Sequence, residues 1–565
     1  MAISVYFNNK KITLPGAYAT VAAGEQNDPR ALDYGKCLII DTGSFYKDKK
    51  FPGTQKPLPN WGGGSGIQTG GTTPENNGVN AIYRFDNIDD FRSFIKGGMY
   101  WQLANALFFP DPSNPAAVGV SEIMFVRAAQ TTPATMTFQS TSAGTLKITT
   151  LDEGDCANGL GKDGEAASGN LATGYAFKIV AGTLDKSKYV LQIWRGSYTG
   201  VADDGVSFNE VSLDDAVKSP RLIIESPEVS TMTELSDWTK RNAEFNQLFR
   251  FDNSSTIEED DKLVAGDIKG TFTPATGGTQ TYNSTYFDQV LASITNLDNS
   301  FVFTDIHGVD AASDASITSL ISHINNTAKF KKQLFIGVGE SEGEFNASLS
   351  AAQTLNSARV CVVHGGVGMP SNALGVGYRW WGVMYNLCSI LGRTAGKAPQ
   401  IPVTNKSIGV SKLKHQLTDT DKKKALNAGV LVTIYNESLQ KFVVLQGINT
   451  LQNNEVLFTG EGESFSIQFM RIVDQINKEL IVNSEIDLLG AENGVNSNTL
   501  SAGILKNWVE NYLLTRTATA TSDNLLLSYR NVTVTKKDDY YLVTYGIVIN
   551  NEINKIFFTG FVFKN

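Results

Sequence analysis

FVFTDI (301–306), QLFIGVG (333–339) and ARVCVVHG (358–365) are three short runs of largely apolar residues. Between the first two, Ile317, Leu320, Ile321 and Ile324 recur at helical spacing. A second helix-like stretch separates the second run from the third. Strands this short and this apolar need cover on both faces. The order strand, helix, strand, helix, strand predicts a mostly parallel sheet with helices on it.

Upstream, KCLIID (36–41) is a continuous apolar run ended by Thr-Gly, and IMFVRA (123–128) is another strand. Helical patterns lie between them at 88–95 and around 100–108. A long loop rich in Gly, Pro, Asn and Thr, expected to be flexible, fills 52–78. From Thr131 the pattern changes to short alternating segments, MTFQS (136–140), LKITTL (146–151), YAFKIV (175–180) and YVLQIW (189–194). Clusters of Gly, Asp, Ser and Asn separate them, which predicts an antiparallel β module inserted over roughly 135–285. Within it, 231–249 reads as one helix.

Downstream come a charged helix from Thr418 to Asn427, strands VLVTIY and FVVLQGI, and a long helix from Phe465. A further helix carries Leu505, Trp508, Val509, Tyr512 and Leu513 on one face. YYLVTYGIVI (540–549) and KIFFTGFVFKN (555–565) are the last strands. In the latter, Ile556, Phe558 and Val562 point one way and Phe557, Phe561 and Phe563 the other. An apolar strand left exposed is an aggregation hazard. It is therefore either a core strand or a strand donated to a neighbour's sheet. The strand ISVYF (3–7), with Val5 and Phe7, has the same character.

The 565 residues allow three or four domains. With 41% apolar and 19% charged residues, the chain can bury a large core. A net charge of −9 argues against coating nucleic acid, whose partners are basic. Four cysteines, at 37, 156, 361 and 388, stand far apart without a CxxC pair, and the four histidines lack HxxxH spacing. No disulfide framework, metal site or cofactor is expected. The first residues lack a basic region followed by an apolar one, so they do not read as a secretory signal. In 375–392 (GVGYRWWGVMYNLCSILG), Trp380, Trp381, Met384, Leu387, Cys388 and Leu391 share one helical face, opposite Arg379, Gly382, Asn386 and Ser389. That amphipathicity predicts a core-packed helix and no membrane insertion.

Gly339-Glu-Ser341-Glu-Gly343 matches GxSxG between a strand and a helix, where a nucleophile elbow would sit. The remaining triad is weak. Between Ser341 and His364 or His415 the only carboxylates are Glu342 and Glu344, beside the serine. Their charge opposes an oxyanion. The other reading is a polar helix start. Residues 392–397 (GRTAGK) are one residue short of a phosphate loop, with Ala398 in place of the magnesium-binding hydroxyl. A glycine-terminated helix fits better. His323 lies off the apolar stripe of its helix.

Several elements, in order, resemble contractile tail sheath proteins of bacteriophages and related injection systems. LPGAY (14–18) is similar to their PGVY-type segment near the N-terminus, and IMFVRA (123–128) to the strand ending in Arg-Ala. Ala398-Pro399 with Ile408-Gly409-Val410, LNAGV (426–430), QGINTL (446–451) and FMRIVDQI (469–476) are similar to successive C-terminal elements. Arginines usual in the last two are missing, except Arg471. The resemblance spans roughly 10–130 and 290–565.

The resemblance implies a multidomain α/β (α+β) chain. A mixed sheet with helices forms the sheath core, with an inserted mainly-β domain and extended terminal strand arms. The expected parts are an N-terminal arm (1–20), core segments (21–134, 286–400 and 401–550), the inserted surface domain (135–285) and a C-terminal arm (551–565). It implies no enzymatic role. It implies homohexameric rings, stacked helically around a tail tube protein, that contract to drive the tube through the host envelope. Baseplate and tail terminator proteins are the other implied partners. The implied setting is a virion tail assembled in the bacterial cytoplasm, or a phage-derived injection particle. Strand exchange between subunits implies linking roles for Val5, Phe7, Ile556, Phe558, Phe561 and Phe563. A serine hydrolase at Ser341 is the rival from another class. A receptor-binding tail protein would share the β content but would not need the α/β half.

Overall fold

In the computed structural model the described residues are 5–7, 10–12, 34–42, 82–95, 98–140, 144–153, 175–195, 221–252, 255–257, 261–262, 273–282, 284–370, 378–452, 463–489, 500–517, 525–537 and 540–549. The run KCLIID forms β1 (Lys36–Asp41). It is followed by β2 (Tyr83–Phe85), α1 (Ile88–Ile95), α2 (Gly98–Phe108) and β3 (Glu122–Arg127). After the inserted strands come α3 (Ser284–Ser293), β4 (Phe301–Thr304), α4 (Ala315–Ser322), β5 (Gln333–Gly337), α5 (Phe345–Leu355) and β6 (Val360–His364). Next are α6 (Val383–Ala395), α7 (Asp419–Ala428), β7 (Val430–Asn436) and β8 (Lys441–Val444).

These strands make one eight-stranded sheet in the order β8-β7-β6-β5-β4-β1-β3-β2. The six inner strands are parallel and the two edge strands antiparallel. Successive side chains point to opposite faces. Cys37, Ile39, Phe125, Phe303 and Phe335 pack under α1, α2 and α6. Leu38, Ile40, Met124, Val302 and Ile336 pack under α3, α4, α5 and α7. The doubly apolar strands of the sequence are thus the middle layer of a helix–sheet–helix sandwich. Each fully buried large apolar side chain contributes about 1.5–3 kcal/mol. Cys37, Cys361 and Cys388 are buried and free, and burial pushes their thiols up.

The segment 375–392 differs from its helical reading. Trp380 and Trp381 lie in a strand, Tyr378–Trp381, and the helix begins only after Gly382. Every residue of α6 is buried, its polar ones included. Asn386 donates to the carbonyls of His364 and Gly365 and accepts from Thr433, so its polar face closes on backbone rather than on water. Gly392 lets α6 cross α2, since a Cβ there would meet the Leu107 carbonyl oxygen at 2.5 Å. Gly396 then caps the helix, so GRTAGK is a packing and capping element. Among the described residues no helix is long and apolar enough to cross a membrane.

The alternating segments build two antiparallel sheets. One orders Phe249–Phe251, Thr145–Glu153, Ala129–Gln139 and Thr279–Tyr282; the other orders Arg221–Glu225, Tyr189–Arg195, Tyr175–Ala181 and Thr273–Pro274. They share one core, in which Phe138 meets Phe177 and Tyr175 meets Phe249, each edge to face at 4.8 Å. The single helix expected at 231–249 is two, Met232–Arg241 and Ala243–Leu248. Asn242 ends the first in an extended conformation, and its side chain accepts the Phe245 N–H, capping the second.

His323 is buried, contrary to its expected place off the apolar stripe. It opens a π-turn, His323–Thr327, which shifts the helical phase. The strand expected across 442–448 stops at Val444. Beyond it, Asn449 and Thr450 are fully buried in a turn that meets the αL cap of α7 at Gly429.

Candidate assembly surface

The C-terminal lobe is built from α8 (Ile467–Ser484), α9 (Ala502–Thr517) and a hairpin of β9 (Leu526–Lys536) and β10 (Tyr541–Ile549). Ser466 caps α8 through the Phe469 N–H. The stripe Leu505, Val509, Tyr512 and Leu513 packs with Ile472, Ile476, Leu526 and Ile549, as its spacing predicts. Glu479 anchors this core. Its carboxylate accepts from Arg516 Nε at 2.8 Å and from the Tyr512 hydroxyl at 2.5 Å, with both charged side chains nearly solvent-free. Burial, then the Glu479 charge, pushes the Tyr512 phenol up.

β9 and β10 pair only with each other, so among the described residues this sheet has two open edges. A bulge between Arg530 and Thr533, with Asn531 at φ +56°, twists β9. One face packs on α8 and α9. On the other, Leu527 and Leu542 are about half exposed, at 57% and 49%. Two-stranded sheets are marginal, and open edges are templates for further strands.

The lobe docks on the sandwich where the sheet strands begin. Arg359, at the start of β6, pairs with Asp474 of α8, and Lys478 pairs with Asp298 at 2.8 Å. Lys329 reaches both carboxylate oxygens of Glu485 at 2.7 and 2.8 Å. Arg471 donates to the Lys397 carbonyl oxygen at 2.5 Å and lies over the Phe301 ring. The joint is mainly polar, whereas both flanking cores are apolar.

The sequence-predicted linking residues fall at the chain's two ends. Val5–Phe7 pairs antiparallel with Lys10–Ile12, a pairing the sequence reading did not contain. Ile556, Phe558, Phe561 and Phe563 lie outside the described residues, as does the loop 52–78. The strand β9 was missed altogether. Its alternation is broken by Arg530 and Asn531 at the bulge, and that interruption is the one signal it carries.

Ser341 sits at a capping turn. Its hydroxyl and N–H, with the Glu340 N–H, lie 2.8–3.1 Å from Glu344 Oε2, forming a capping box ahead of α5. His364 is engaged elsewhere, with Nδ1 2.8 Å from Ser348 Oγ and Nε2 3.0 Å from His415 Nδ1. Ser348 donates to the Val338 carbonyl, so it accepts from His364 Nδ1–H. Chain order in the sheet reverses between β1 and β4, the place where open α/β sheets bind ligands. Here Asp41 holds Arg127 at 2.9 Å and Asp305 accepts twice from Thr42. Burial, then the Asp41 charge, pushes the Asp305 carboxyl well above the usual range. No group of described residues has the makings of a metal site.

No protein-family model and no curated protein matches the sequence. Solved structures do. A sheath tail protein from Desulfitobacterium hafniense superposes with a TM-score of 0.50 at 13% identity, covering 95% of this chain and all of that one. The chain has the sheath tail protein fold. A sheath tail protein from Listeria innocua gives 0.46 at 13% identity, covering 92% of this chain and 96% of the other. The contracted helical sheath of the anti-feeding prophage gives 0.35 at 13%, over 51% of this chain and 78% of that one. The mixed α/β class expected from the sequence is thus the class of the sheath-type fold.

Proposed function

We propose that this chain is the sheath subunit of a contractile phage tail or of a phage-derived injection particle. The observation carrying this reading is the sheath-type fold together with a hairpin lobe whose sheet, among the described residues, has two open edges. Copies assemble as stacked hexameric rings around a tail tube, with a baseplate and a terminator at the two ends. The strands around Val5 and Phe7 and those carrying Ile556, Phe558, Phe561 and Phe563 extend the β9–β10 sheets of neighbouring copies by β-augmentation. The domain parts and the outward position of the 135–285 module belong to the same proposal. Main-chain hydrogen bonds in the augmented sheet survive while the sandwiches rotate and slide, burying new surface. A few kcal/mol per interface, summed over many copies, drives the tube. The subunit works mechanically, without catalysis. Deleting 551–565 tests this. The truncated chain folds, with the circular dichroism of the full chain, and stays unassembled. Sheaths formed by the truncated chain would refute the linkage.

A further inference from the structure

Three buried polar side chains form a hydrogen-bonded row inside the sandwich. Ser348 of α5, His364 at the end of β6 and His415 just ahead of α7 are 0, 2 and 7% exposed. His364 Nδ1 lies 2.8 Å from Ser348 Oγ, and its Nε2 lies 3.0 Å from His415 Nδ1. The Phe345 ring packs on both imidazoles, with ring centres 5.1 and 5.2 Å apart. The row fastens the segment 411–417 to the sheet's strand end. Beside it the same segment holds on by main chain, Ser411 N–H to the Gly368 carbonyl and Lys414 N–H to that of Gly366.

The geometry fixes how many protons the row can carry. The Ser348 hydroxyl has one proton and gives it to the Val338 carbonyl, so His364 donates from Nδ1. A neutral His364 then offers a bare Nε2, which His415 Nδ1–H fills. One proton fits between the rings at 3.0 Å, and two do not. A third proton on the pair goes to His415 Nε2, which has no hydrogen-bond partner among the described residues. A fourth would put N–H against N–H and two positive charges in contact in a buried place. We propose that the His364–His415 pair is an acid-sensitive latch. It holds 411–417 on the end of β6 while it carries one charge or none, and lets go when both rings are protonated.

The charged groups packed around the pair leave this count unchanged. From the turn before α5, Glu340 is taken by Lys414 at 3.1 Å, and Glu344 Oε2 by the N–H groups of 340 and 341. From α7, Asp421 lies within electrostatic reach of His415 and pairs with Lys424 at 3.6 Å. Asp421 favours the first charge, on His415. It does not relieve the second, whose proton has to enter between the rings. In the opened form each imidazole titrates near the ordinary value of about 6.5 and binds its own proton. Below that pH the opened form holds at least one proton more than the latched form. The latched population therefore falls with acid, about tenfold per pH unit, and is indifferent to pH above about 7.5.

Nitrogen-15 spectra of the full chain, labelled at its four histidines, test the proton count directly. Once His307 and His323 are assigned by substitution, the remaining two signals belong to the pair and need not be told apart. Both rings are expected neutral at pH 7.5, and only one of them gains a second N–H on acidification while the native spectrum persists. Hydrogen exchange, corrected for the intrinsic rate, reads the release. Opening at the Gly366, Ser411 and Lys414 amides should rise between pH 5.5 and 4.5 about tenfold more steeply per pH unit than in His415→Asn. The Asn amide can donate to His364 Nε2, or turn its oxygen to accept once that nitrogen is protonated, so the variant keeps the contact without the proton limit. Carboxylates titrate alike in both chains and drop out of the comparison. The spectra use the native pair, so they decide the matter even if the variant fails to fold. Two cationic rings with these amides still protected, or equal pH slopes in the two chains, would overturn the proposal.

Discussion

Glu479→Ala is expected to loosen the C-terminal lobe while leaving the sandwich closed. The carboxylate holds Arg516 through Nε and Nη2, both at 2.8 Å, and the Tyr512 hydroxyl at 2.5 Å. The two charged side chains are 2% and 5% exposed. Removing one partner of a buried pair strands the other charge and costs about 3–5 kcal/mol. At 1.4 kcal/mol per decade, the lobe's open population rises roughly 100-fold or more. Hydrogen exchange resolves where this occurs. Amides of 505–513, 526–534 and 541–549 should lose protection, and those of β4, β5 and β6 should keep it, because opening follows cooperative units. Assembly should fall with the lobe, since the hairpin would no longer be presented. A double variant, Glu479→Leu with Arg516→Met, should recover most of the protection, because apolar replacement of a buried pair is often neutral. If lobe exchange is unchanged in Glu479→Ala, or β4 to β6 open equally, the lobe is not the separable unit described here.

Three further outcomes concern Lys332 and Ser341. Lys332 is lowered to about 7 when folded, so between about pH 7 and 10 the unfolded chain binds the extra proton and stability rises with pH. Denaturant titrations should show the unaltered chain gaining about 2 kcal/mol from pH 7 to 9 relative to Lys332→Met; parallel pH curves would refute this. Ser341→Ala removes a helix cap and should cost about 1 kcal/mol in the same titration. A fluorophosphonate probe should leave Ser341 unlabelled, and labelling there would revive the hydrolase reading.

What the sequence revealed was mostly local. KCLIID, FVFTDI and QLFIGVG read as doubly covered strands because burial on both faces leaves continuous apolar runs, and they are the sheet's centre. The alternating segments after Thr131 read correctly for the complementary reason, one face packed and one wet. The wheel at 375–392 misled because a strand and a helix meet at Gly382, and because α6 is buried all round. Asn242 was hidden in a continuous helical pattern, since a residue that caps two helices looks like any polar helix position. The polar joint was not legible at all. Lys332, Asp298, Asp474 and Lys478 come together only when α8 docks on strand starts far away in the chain. Glu479 shows the same limit, because its partners Tyr512 and Arg516 are a whole helix away.

Negative-stain electron microscopy of the purified chain, alone and with a tail tube protein from the same source, tests the sheath reading most directly. The account predicts hollow cylinders with a six-fold, helically striated wall, either from the chain alone or on addition of the tube. Dispersed single particles under both conditions would contradict it.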